Sequence, residues 1–162
     1  MRRVADLVAD ILVEHGITDM FMVTGGGAMH LNDAFARNSD ISIVCCHHEQ
    51  ACSIAAESYS RLTNRLAAVN VTTGPGGINA LNGVFGAYVD SIGMIVLSGQ
   101  VKRETLMTTC ILPLRQLGDQ EANIVELAKS ITKFAVLLDD PADTSFADEF
   151  IWIKGAHIRR ID

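Results

Sequence analysis

The sequence predicts an α/β fold: a parallel sheet with helices on both faces. Two observations carry this expectation. Short, mostly apolar runs recur at residues 20–23, 41–46, 66–71, 94–97 and 134–138, and they read as strands buried on both sides. Between them lie segments whose apolar residues repeat at helical spacing. Strands alternating with helices imply parallel pairing and right-handed crossovers.

The elements follow in order. Val4, Leu7, Val8, Ile11 and Leu12 share one helical face, and Gly16 supplies a stop. The run at 20–23 meets three glycines, Gly25, Gly26 and Gly27, which turn the chain toward the next helix. After 41–46 comes a polar cluster, His47-His48-Glu49-Gln50, and then a helical pattern through Ile54, Ala55, Ser58 and Leu62. The run at 66–71 ends in Thr72-Thr73-Gly74-Pro75-Gly76-Gly77, followed by a small-residue helix over 78–88. Residues 94–97 end in Ser98-Gly99-Gln100, 121–129 read as a helix, and 134–138 read as a fifth strand.

Composition narrows the function classes. A length of 162 residues predicts one domain with a real core. Hydrophobic residues at 49% and charged residues at 20% suit a folded chain, not a disordered tail. A net charge of −6 without a basic stripe argues against nucleic acid as a partner. Asp6, Asp10 and Glu14 interrupt any signal sequence after Met1-Arg2-Arg3. The longest uncharged stretch, between Arg65 and Asp90, carries the Gly-Pro-Gly-Gly break at its centre, so no membrane span is expected. Cys45, Cys46, Cys52 and Cys110 read as buried, reduced thiols of a cytoplasmic protein.

The chemistry-bearing residues crowd the ends of four strands: Gly25–Gly27, His47–Gln50, Thr72–Gly77 and Gln100. Open α/β sheets bind ligands outside the carboxyl ends of their strands. Short β-to-α loops are also Gly-rich and polar for reasons of turn geometry alone, and both readings stay open on pattern. The glycines at 25–27 form no dinucleotide fingerprint, because His30 stands where the last glycine belongs, and no P-loop lysine is present. Cys45, Cys46, His47, His48 and Cys52 are poor co-ligands, since neighbours on a strand point to opposite faces, and no metal site is expected. Glu49 stands where a strand gives way to a helix. It either complements the helix N-terminus or is a carboxylate in an apolar pocket, whose raised proton affinity lets it share a proton with a ligand nitrogen. The 72–77 loop with Asn79 and Asn82 lacks a cation for phosphate and suits a neutral heterocycle. Gln100 and Gln120 add uncharged hydrogen-bonding groups.

As an ordered set these segments resemble one family. His48-Glu49-Gln50-Ala51 running to Tyr59, Thr73-Gly74-Pro75-Gly76 with Asn79, Ala87-Tyr88-Val89-Asp90-Ser91-Ile92, Ser98-Gly99-Gln100-Val101 and Gln120-Glu121 are similar, over residues 1–141, to the N-terminal pyrimidine-binding domain of thiamine diphosphate enzymes related to acetolactate synthase. The resemblance implies that Glu49 hydrogen-bonds a ring nitrogen of the cofactor's aminopyrimidine and so promotes loss of the thiazolium proton, after which the carbanion attacks a 2-oxo acid. It further implies that Glu49, Gly25, Gly26, Thr73, Gly74, Pro75, Gly76 and Asn79 bind thiamine diphosphate. Gly27, His48, Gln100 and Gln120 would line the substrate pocket.

Departures from the family shape the rest of the expectation. Its diphosphate is held through Mg²⁺ by a Gly-Asp-Gly…Asn motif in a second domain; here Gly118-Asp119 leads only to Gln120. A separate domain of that kind, on another subunit, would have to complete the site; the expected partner is that subunit or a second copy of the chain in a homodimer. Residues 142–162 match nothing in the family and read as an atypical tail that replaces the domain's usual final strand. His47 and Asp119 stand where an arginine and an aromatic are common, so the particular 2-oxo acid is open. The alternatives to a catalytic domain are a truncated inactive remnant and a non-catalytic dimerisation module built on the small-residue helix at 78–88.

Overall fold

The structure is a computed structural model and describes residues 2–138. The tail at 142–162 and the expected loss of a final strand lie outside the described residues.

Four strands form one parallel sheet in the order β2-β1-β3-β4, with β1 at Asp19–Met22, β2 at Ser42–Cys45, β3 at Ala68–Val71 and β4 at Ile95–Ser98. The helices are α1 (Val4–Glu14), α2 (Met29–Arg37), α3 (Glu49–Thr63), α4 (Pro75–Val89) and the short α5 (Ile124–Ala128). Strand alternation divides the core into two layers. Met20, Met22 and Ala68 join Leu12, Ile17, Ala34 and Phe35 on the α1/α2 side. Val69 and Val71 join Cys52, Ala56, Ala80 and Val84 on the α3/α4 side. All four residues of β3 are buried, as a central parallel strand requires.

Local signals explain the boundaries. After α1, Gly16 takes φ +72 and donates to the Val13 carbonyl, while Ile17 N–H reaches back to Leu12, each at 2.8 Å. This is a Schellman stop, which a left-handed glycine makes cheap. Helix α4 begins with Gly74 at φ 57 and Pro75 in its first turn, where a proline has no hydrogen bond to lose. It lies tight against α3: a Cβ on Gly83 would fall 2.3 Å from Ser53 Oγ. At the opposite end of the strands from the glycine loops, Tyr59 donates to Asp19 at 2.7 Å.

Three expectations are corrected. Residues 134–138 form no strand. They run as irregular chain and, with Val8, Ile11, Ile95, Leu97 and Ile124, line an apolar cavity of ≈ 490 Å³. The run at 41–46 is not a buried strand: β2 is the sheet's edge, with one neighbour, and Val44 is 48% exposed. The four cysteines are free, but Cys45 is exposed and Cys46 and Cys110 are half-buried; only Cys52, under α3, is fully enclosed.

Candidate functional site

The sheet order creates the site. From β1 the chain turns one way, to β2; from β3 it turns the other way, to β4. The loops leaving these adjacent strands diverge and open a crevice at the switch point between β1 and β3. Gly25–Gly27 and Thr72–Gly77 are those two loops.

They meet through Thr72. Its hydroxyl accepts the Gly27 N–H at 3.1 Å. A Cβ on Gly25 would lie 2.4 Å from Thr72 Cβ, and one on Gly76 would lie 2.8 Å from Thr72 Cγ2. Both glycines are therefore required by close approach, not by φ. On the neighbouring strand, Gly99 passes over Gly27 so closely that a Cβ would fall 2.5 Å from the Gly27 carbonyl.

Glu49 is the first residue of α3 and stands beside this crevice. Its Oε2 accepts a 3.0 Å hydrogen bond from Asn79 Nδ2, in the second turn of α4. Its Oε1 faces Gly76, 3.5 Å from where a Cβ would stand, and takes no hydrogen bond from the described residues. Glu49 is half-buried, so the apolar pocket expected for it is not closed by the described residues alone. One turn further on, burial and then the neighbouring Cys46 push the Cys52 thiol up to about 12. Cys52 is thus an uncharged packing group on the buried face of α3.

The remaining predicted residues divide. Thr73, Gly74, Pro75, Gly76 and Asn79 lie on one continuous stretch at the start of α4, a wall that meets Glu49 at Gly76 and Asn79. Thr73 donates to Gln100 Oε1 at 2.7 Å, and Gln100 Nε2 donates to the Ala122 carbonyl at 3.0 Å, so the Gln100 amide ties two loops together. His48 is the N-cap of α3, its Nδ1 accepting the Gln50 N–H at 3.1 Å. Gln120 reaches the wall through its backbone: its carbonyl lies 1.9 Å from where a Cβ on Gly74 would be. Gly26 is exposed and open, with nothing within 4 Å of its missing side chain.

Sequence reasoning missed two supports behind these loops. Asn70, fully buried on β3, donates to Asn32 at 2.6 Å, and Asn32 donates to the Gly25 carbonyl at 3.5 Å. An asparagine inside an otherwise apolar strand was the available signal, because a buried amide needs partners. The other is the Glu121 carboxylate. It accepts the N–H groups of Met107, Leu117 and Gly118 at 2.8, 3.2 and 3.1 Å. Burial raises its proton affinity, but the three donors together outweigh burial and hold the carboxyl below its usual range.

Among the described residues, no group of three His, Cys, Asp or Glu side chains is placed to hold a metal ion. No helix among them is long and apolar enough to cross a membrane.

Comparison with known proteins agrees with this geometry. The family model for the thiamine pyrophosphate enzyme N-terminal TPP binding domain matches residues 2–127. The chain is 35% identical over 142 residues to acetolactate synthase 2, chloroplastic, of Nicotiana tabacum, covering 88% of this chain and 20% of that protein. It is 34% identical to the chloroplastic acetolactate synthase of Arabidopsis thaliana over the same share of its own length. The acetolactate synthase large subunit of Buchnera aphidicola is 33% identical over 139 residues, 86% of this chain and 23% of that protein. The chain thus spans about a fifth of the length of these relatives. With the parallel sheet, the crevice at its switch point and the match over most of its length, this chain belongs to the thiamine pyrophosphate enzymes, as an N-terminal TPP-binding domain related to acetolactate synthase.

Proposed function

We propose that this chain is the pyrimidine-binding part of an acetolactate synthase-like 2-oxo acid decarboxylase or carboligase, completed by a separate domain that binds the cofactor's diphosphate through Mg²⁺. The observation that carries the reading is the pair formed by Glu49 and Asn79. Asn79 occupies one carboxylate oxygen and leaves the other facing a glycine-lined space. That arrangement fits an aminopyrimidine. Glu49 Oε1 would hold the proton shared with a ring nitrogen, and Gly25, Gly74 and Gly76 let a flat ring approach the backbone. Thr73, Pro75 and the exposed Gly26 would border the same ring. Gly27, His48, Gln100 and Gln120 stand where a small 2-oxo acid would meet it. When bound, thiamine diphosphate supplies the electron sink for breaking the bond beside the substrate carbonyl. The protein contributes position and proton affinity, worth about 10²- to 10⁴-fold for a placed acid or base.

The wall presents no lysine or arginine to a diphosphate, which supports a second domain carried by another subunit; a homodimer is the alternative assembly, and a second copy of this chain would not supply that domain. Four free cysteines suit a reducing compartment, which supports the cytoplasm as the setting for this reading.

Calorimetry on the chain tests this. The expected result is weak, magnesium-independent binding of thiamine diphosphate that Glu49→Gln abolishes without changing the fold. Tight, magnesium-dependent binding by this chain alone would overturn the need for a second domain. Unchanged binding in Glu49→Gln would remove Glu49 from the site.

A further inference from the structure

Between Gln100 and Gln120, inside the link from β4 to α5, runs a long stretch that contributes no residue to the proposed site. It contains two single 3₁₀ turns, Arg103–Thr105 and Met107–Thr109, and then irregular chain up to Gly118. Little apolar burial holds it: Leu106 is its one buried apolar residue, and Ile111, Leu112 and Leu117 are exposed. What organises it is one side chain. The Glu121 carboxylate gathers the Met107, Leu117 and Gly118 N–H groups, two stretches of the connection brought onto one anion. Gly118 adds close packing, since a Cβ there would fall 2.7 Å from Val101 Cγ2.

The residue just before the clamp, Gln120, is held at φ 54, a left-handed conformation unfavourable for a residue with a side chain. That twist aims its carbonyl at Gly74, the residue that opens α4. Two residues on, the Ala122 carbonyl is taken by Gln100, which also holds Thr73. The segment 120–122 is thus laid across the start of α4 at two points, beside the wall that carries Asn79 and faces Glu49.

We propose that Glu121 is a positioning residue for the cofactor site: by clamping Met107, Leu117 and Gly118 it sustains the strained turn at Gln120 and holds residues 120–122 against Thr73 and Gly74. This rests on the reading of Glu49 and the 73–79 wall as the aminopyrimidine site. Neutral Gln at 121 keeps a carbonyl acceptor for part of the clamp; Ala keeps none.

The test uses the complete 162-residue chain and its Glu121→Ala and Glu121→Gln variants. Amide hydrogen exchange is read residue by residue, and the probe ligand is 4-amino-5-hydroxymethyl-2-methylpyrimidine, followed by amide chemical shifts. In Glu121→Ala, exchange should quicken about tenfold at Met107, Leu117 and Gly118, and also at Ile78, whose N–H bonds the Gly74 carbonyl at 3.0 Å. Pyrimidine affinity should fall about tenfold, and Glu121→Gln should recover part of both. Faster exchange confined to 107–118, with affinity and Ile78 unchanged, would overturn the proposal and leave Glu121 a purely structural clamp. If the unaltered chain fails to bind the pyrimidine, the cofactor reading falls, and the positioning claim is then decided by Ile78 exchange alone.

Discussion

The two helical layers of this molecule are finished differently on their outer surfaces. On one side, α1 and α2 cover large core residues, Phe35, Met20, Ile17 and Leu12, and their outer faces are joined by ions: Arg3 bonds Asp6 and Asp33, and Arg37 bonds Asp6. On the other side, α3 and α4 meet through small residues, Ser53 against Gly83; Arg61 pairs with Glu57 and Asp90 at their far end, and the rest of their outer faces carries Ile54, Ile78, Phe85 (54% exposed) and Val89 (61% exposed). A charged lattice is what water asks of a surface. An apolar stripe beside a glycine-rich helix is what a partner asks of one. The proposed site lies at the end of this second pair, on Glu49 of α3 and Asn79 of α4, so it shares its half of the domain with the exposed apolar side chains.

The largest effect that would sharpen this contrast is in the α1/α2 layer. Phe35→Ala removes the largest fully buried side chain among the described residues and should cost about 3–5 kcal/mol in denaturant unfolding. A loss under 1 kcal/mol would mean that the layer is not the stable half. Next, Gly83→Val drives side-chain atoms into Ser53 and should cost about 1–3 kcal/mol. It should also displace Glu49 relative to Asn79, so reduced pyrimidine affinity is expected with the fold retained. Acid should separate the halves more gently. The folded Glu121 carboxyl titrates below its ordinary value of 4.5, so its stabilisation is complete above about that pH and is lost as pH falls through the lower folded value. Hydrogen exchange below pH 4.5 should therefore quicken at 107–118 before it does in α1 and α2; the reverse order would break the comparison. The smallest effect on stability, within about 0.5 kcal/mol, is expected for Phe85→Asp, which should instead abolish any self-association seen by analytical ultracentrifugation. If the unaltered chain is monomeric at all concentrations while partner binding also survives the substitution, the apolar stripe is not an interface.

Much of this was legible in the sequence, for identifiable reasons. Apolar runs bounded by glycine located four strands, because a parallel strand buried on both faces leaves little other choice of residue. The same signal misplaced 134–138: the run Phe-Ala-Val-Leu-Leu is apolar enough for a strand, yet it forms no ladder and Phe134, Val136, Leu137 and Leu138 stay exposed along the rim of an apolar cavity. It also overstated 41–46, since an edge strand can carry β-branched residues while one flank stays open. Glu49 stood out because a carboxylate after an apolar run is conspicuous, but its pattern fits a charge at a helix N-terminus equally, and its proposed role came with the family resemblance. Glu121 did not stand out, because three backbone donors contributed by Met107, Leu117 and Gly118 leave no mark in residue type. Gln100 and His48 were recognised as polar groups near the crevice, but their tasks, tying two loops and capping α3, depend on which backbone atoms arrive beside them.

The strand order has a consequence for how the site comes into being. Gly27 and Thr72, bonded to each other, are 45 residues apart in sequence, and β1 must wait for β3 while β2 and α3 are threaded between them. Closing such a loop costs entropy before any contact repays it, so the β1–β3 pairing belongs to the slow, late part of folding. The crevice exists only once that pairing is complete. A newly made chain that has formed its helices but not yet inserted β3 has no partial site to offer, and the ability to bind should appear abruptly, in step with the last central strand.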